Sequence, residues 1–237
     1  MADWRRLEHR IGACAPFTRR PVAVTFLDSA PEGIARFTGS QPSGCSFWRL
    51  AAEGRTFYTV PSDHFNCAVG SYTHNIDLSP ERAAETTQTL EFMFRVNYIR
   101  PEEVAGIPRL PHTPAAVLYS ALSDTPVPPS VILFACRPAS AMRLHEAAIR
   151  AGKPGVLPPL GRPTCMALPA ALAHGGHESG VHRESRIYRP ERRGPLRRCP
   201  RGGPARHRRC ARGHLDRKRG AVCLRAGSPR GALDGVT

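Results

Sequence analysis

The chain has 237 residues, 34 lysines and arginines against 19 aspartates and glutamates, and a formal charge of +15, a balance that would suit a phosphate-rich partner if it were spread evenly. It is not: the residues up to Gly175 carry 17 basic and 14 acidic side chains, whereas Gly176 to Thr237 carry 17 and 5. Both tryptophans and all nine phenylalanines precede Gly176, so the first three quarters can build one compact domain and the remainder cannot, and no run of about 18 apolar residues exists to cross a membrane.

The first 20 residues read as an N-terminal extension. "MADWRRLEHRIGACAP" lacks the apolar stretch of a secretory signal, so the expected compartment is the cytoplasm, where cysteines stay reduced unless bound or catalytic. "PVAVTFL" (21–27) is β-branched and apolar, closed by the turn-forming "APEG", and predicts a buried strand. "PSGCSFWRLAAEG" (42–54) predicts a short helix with Phe47, Leu50 and Ala51 on one face and Gly54 at its end. "TFYTVP" (56–61) alternates like a strand and "SDHFNCAVG" (62–70) reads as a loop.

The clearest helix spans 79–97, with Ser79 as N-cap, Pro80 at the first helical position and Ala83, Thr87, Leu90 and Phe94 on one face. "AAVLYSAL" and "SVILFACR" predict two more strands across a Pro-rich loop, and "PASAMRLHEAAIRAG" (138–152) predicts a helix ended by Gly152. The fold class is therefore α+β, as a single mixed domain over 21–175. There is no tandem repeat. A looser echo joins "GCSFWRLAAEG" to "TCMALPAALAHG", each a cysteine opening an Ala- and Leu-containing segment that ends in Gly.

Four strings, "PVAVTFLDSAPEG", "PSGCSFWRLAAEGRTFYTVPSDHFNCAVGSYTHN", "YIRPEEVAGIPRLP" and "LGRPTCMALPAALAHG", make residues 21–175 resemble the prokaryotic family known as domain of unknown function 169. The resemblance implies no activity. It does imply a different ending: in such proteins "AHG" leads into something like "TGCIGNRVYTG", a strand and a closing helix. Here "HESGVHRESRIYRP" follows, and its codons, shifted by one base, permit T-S-A-G-C-I-G-N-R-V-Y-T-G. The expectation is a frameshift after Gly175, with the last strand and helix lost and 176–237 left as a disordered basic tail.

Three cysteines carry the candidate chemistry. Cys45 and Cys165 fall at expected helix starts, where free N–H groups and the helix dipole favour thiolate. Cys67 follows His64 by three residues, a spacing that can place two ligands on one metal. Isolated cysteines also pack readily; Cys136, inside its strand, is assigned to packing, and Cys14 has no role. Cys45, Cys67 and Cys165, with His64 as an optional ligand, define a candidate site for an iron–sulfur cluster or zinc serving a small-molecule substrate or effector. The resemblance would add a fourth cysteine, from "TGCIGN", encoded here across Val181 and His182 and absent from the chain, so weak metal retention is expected.

The alternative is a cysteine-dependent enzyme with Cys67 as nucleophile and His64 or His74 as base, Asp63 and Asn66 either orienting the imidazole or making the turn. A third reading has the Arg-rich run 180–203 binding nucleic acid through phosphates. Against it, that run holds one aromatic residue, Tyr188, and no recognisable binding module. No phosphate loop, Ser-His-Asp signature or dinucleotide fingerprint is present.

Overall fold

The computed structural model describes residues 3–152, 155–156, 166–174, 177–180 and 220–225. In chain order the elements are α1 (Trp4–Cys14), β1 (Val22–Leu27), α2 (Gly44–Ala52), β2 (Phe57–Thr59), a 3-10 turn (Pro61–His64), α3 (Ala68–Thr73), α4 (Pro80–Arg95), α5 (Pro101–Val104) and β3 (Ala116–Ala121). A second 3-10 turn (Leu122–Asp124), β4 (Val131–Cys136), α6 (Pro138–Arg150), β5 (Gly155–Val156), α7 (Ala167–His174), β6 (His177–Gly180) and β7 (Gly220–Arg225) follow. This is a single α+β domain, as the sequence predicts.

The strands form one sheet in the order β2-β3-β1-β4-β7-β6-β5. The four strands β2, β3, β1 and β4 pair antiparallel, with Val24 opposite Tyr119, Tyr119 opposite Phe57 and Val22 opposite Leu133. Because successive side chains alternate between faces, this register sends Val22, Val24 and Tyr119 to one side and Ala23 and Ile132 to the other. The first side meets Phe47 and Ala51 of α2, Phe37, and Leu168 and Ala171 of α7; the second meets Ala15, Leu144 and, from α1, Trp4 and Ile11. Both faces are thus covered, which is why every residue of β3 is buried and why its sequence is apolar without strict alternation.

Three features differ from the expectations above. The N-terminal 20 residues hold a helix, α1, capped by the Asp3 carboxylate on the Arg6 N–H at 2.9 Å, and its Trp4 and Ile11 pack on the second core face. The loop expected at 62–70 contains a 3-10 turn and the start of α3. The 176–237 segment, expected to lack structure throughout, supplies β6 and β7; β7 pairs with all of β4 from Val131 to Cys136, because β4 is fully apolar and its free edge takes a strand. Residues 181–219 and 226–237, including the Arg-rich run, lie outside the described residues.

Candidate functional site

The site is built where α2 and α3 begin. Cys45 is the second residue of α2 and half-buried. Cys67, also half-buried, is the N-cap of α3, and its Sγ accepts the Gly70 N–H at 3.2 Å, the thiol taking the role that a Ser or Asp side chain usually has there. Gly70 is the wedge between the two helix starts: a Cβ on it would stand 3.1 Å from Cys67 Sγ and 4.0 Å from the Gly44 backbone nitrogen. A side chain larger than hydrogen at Gly70 would press on Cys67 Sγ, which would have to shift.

Beneath them lies His64, stacked on His74 with ring centroids 5.2 Å apart. Phe47 of α2 closes one end of this column at 5.1 Å and Phe26 of β1 the other at 5.7 Å. His64 is 1% and His74 2% exposed. The hydrogen bonds assign both tautomers. His74 Nδ1 lies 2.8 Å from the Gly70 carbonyl, which only accepts, so Nδ1 carries the hydrogen and Nε2 a bare lone pair. Thr59 directs its hydroxyl hydrogen to the Val117 carbonyl at 3.4 Å and accepts from His64 Nε2–H at 2.8 Å, leaving the lone pair on His64 Nδ1. Among the described residues neither lone pair has a hydrogen-bond partner, and His64 Nδ1 is 3.8 Å from where a Cβ on Gly44 would sit.

Burial holds both imidazoles neutral. The pKa of His64 falls to about 3, through desolvation first and the neighbouring His74 second; that of His74 falls to about 4 through desolvation, against which the Gly70 carbonyl bond works. A neutral imidazole with a bare nitrogen is the form that binds metals. It is a poor general base: a conjugate acid ionising near 3 is populated at pH 7 at about one part in ten thousand.

Asp63 and Asn66 take the second of the roles left open for them. Asp63 accepts the Val60 N–H at 2.8 Å and faces Arg36 at 3.4 Å, and Asn66 donates to Ser40 Oγ and the Gln41 carbonyl, so both hold the turn. Arg100 pairs with Glu102 and Glu103 at an exposed helix start. Cys136 is buried and its thiol is pushed up to about 11 by desolvation, which suits packing. Cys165 lies outside the described residues. Among the described residues no three His, Cys, Asp or Glu side chains gather to hold a metal; Cys45, Cys67 and His64 do not make such a set by themselves. What sequence reasoning missed is the histidine stack and its Thr59 anchor, since 10 residues separate His64 from His74 and no spacing rule links them.

The profile of the family described as uncharacterised ArCR, DUF169, matches residues 13–167. The chain belongs to the DUF169 family. That span contains α2, α3, both stacked histidines, Cys45, Cys67 and Cys165, so the site described here belongs to the family's segment rather than to its flanks. No curated protein and no solved structure matches the chain, and among the described residues no helix is long and apolar enough to cross a membrane.

Proposed function

We propose that this protein binds a metal or an iron–sulfur cofactor through Cys45, Cys67 and Cys165 in the cytoplasm, and that a small molecule is its substrate or effector. The observation that carries the reading is the packing of the two cysteine-bearing helix starts against each other through Gly70 and Gly44. Helix starts favour thiolate, and thiolates gathered in a reducing compartment are held by soft metals. Cys165 stands two residues before α7 in the chain, and Leu168 of α7 is buried in the same cluster as Phe47, two residues beyond Cys45. The start of α7 thus meets the same core face as the start of α2. His64, neutral and with Nδ1 bare, could replace one of the cysteines as a ligand but does not join Cys45 and Cys67 on one metal as the residues stand.

The test is anaerobic purification of the full chain followed by iron, sulfide and zinc analysis, repeated on Cys45→Ser, Cys67→Ser and Cys165→Ser. A cluster gives visible absorption with iron and sulfide in proportion; zinc gives metal without colour; loss of that metal in all three variants supports the reading. Because weak retention is expected with three cysteines, metal is also supplied anaerobically to the purified chain; protein that takes up neither iron nor zinc and whose thiols are all slow to alkylate makes the three cysteines packing residues. One cysteine that alkylates far faster than the rest in metal-free protein points instead to a catalytic thiol.

A further inference from the structure

We propose that the groove between α1 and the Leu122–Asp124 turn is a second, separate binding site, for a small monocarboxylate with an aromatic body. Arg5, Glu8, His9, Gly12 and Ala13 recur at helical spacing on one face of α1 and form one wall; Phe17, Arg20, Ser123 and Asp124 complete the lining. The cavity volume is about 580 Å³, inside the range of about 300 to 1,000 Å³ that small ligands use.

The floor is apolar. The Phe17 ring rests against Phe134 with centroids 5.3 Å apart, and it comes so close to α1 that a Cβ on Gly12 would stand 3.3 Å from it. A flat aromatic body fits such a floor by offset stacking. The walls are polar, and most of their groups are already engaged. Arg20 holds Asp124 at 2.6 Å and Ser123 Oγ at 2.8 Å, and Glu8 accepts the Ser123 N–H at 2.8 Å. These bonds also brace the groove, because they tie α1 and the loop before β1 to the turn after β3.

The Arg5 guanidinium and the His9 ring, one turn apart on the rim, make no hydrogen bond or ion pair among the described residues. The open bonding capacity is therefore chiefly that of donors, led by a guanidinium whose fork matches a carboxylate. Glu8 and Asp124 on the same walls repel a second negative charge, which selects a monoanion over a phosphate or a dicarboxylate. Most of α1 precedes the segment matched by the family profile, 13–167, so this wall is contributed largely by residues outside it. The groove is independent of the cysteine site.

Isothermal titration of the full chain with benzoate tests the assignment, with benzyl alcohol, acetate and phthalate as controls. Benzoate is expected to bind saturably, and each control to bind about tenfold more weakly or less, since each lacks the charge, lacks the ring or carries a second charge. Arg5→Gln should weaken benzoate by about tenfold, and His9→Gln by less, with the thermal midpoint unchanged because both side chains are exposed. Benzyl alcohol binding as tightly as benzoate, an Arg5→Gln variant equal to wild type, or no saturable benzoate binding up to its solubility limit would each overturn the proposal.

Discussion

At the scale of single residues, the histidine stack makes stability depend on pH in a defined direction. Both folded pKa values, about 3 and about 4, lie below the ordinary 6.5, so between those limits the unfolded chain binds more protons than the folded one. Stability from this source is complete above about pH 6.5 and falls as pH drops toward 4. Each tenfold difference in proton affinity between the two states is worth roughly 1.4 kcal/mol. Together the two rings can therefore remove several kcal/mol, a large part of the roughly 5 to 15 kcal/mol typical of a domain. Urea unfolding at pH 7 and pH 4.5 should show the loss. His64→Gln, which cannot titrate, should shrink the difference between the two pH values whatever it costs at pH 7; an undiminished difference would place the acid sensitivity elsewhere.

Among the elements, α4 separates helix formation from helix packing. Its start is well specified: Ser79 Oγ accepts the Arg82 N–H, Pro80 occupies the first position, and Arg82 pairs with Glu85 at 2.8 Å. Yet none of its residues is buried, and the expected apolar face leaves Ala83 and Thr87 exposed and Leu90 and Phe94 only half-covered. Local capping alone defines its ends. Phe94→Ala should therefore cost under about 1 kcal/mol, whereas Phe47→Ala, in the centre of the core and in contact with His64, should cost about 3 to 5 kcal/mol. Chemical denaturation of the two variants makes the comparison, and equal losses would mean that α4 is packed after all.

For the whole molecule, the decisive question is what covers the outer edge of β4. In this structure β7 does, residue for residue from Arg225 opposite Val131 to Gly220 opposite Cys136. An uncovered apolar edge is a template for aggregation. Ending the chain before Gly220 should therefore lower the thermal midpoint and raise light scattering relative to the full chain. Under the frameshift reading, a chain whose codons after Gly175 are read one base on should give a sharper and higher transition than either. A stop codon in that shifted frame would end the frameshift reading, and a truncated chain as stable as the full one would show that β7 adds nothing to the sheet.

The sequence by itself determined the α+β class, the strands β1, β3 and β4, the ends of α2, α4 and α6, and the family, because each rests on short-range signals: β-branched runs, an N-cap with proline behind it, a glycine such as Gly152 with φ +72° just past a helix, and long colinear strings. It also singled out Cys45, Cys67 and His64 as chemically able residues. It did not show α1 or α3, whose polar or short stretches gain helical structure only by packing, as Trp4 and Ile11 do on the core. Only the tertiary structure decided that Gly70 and Gly44 bring two cysteine-bearing helix starts together, that His64 lies on His74, and that α4 stays outside the core. Those outcomes depend on which faces the sheet buries and on the desolvation that burial imposes, and neither is a property of neighbouring residues in the chain.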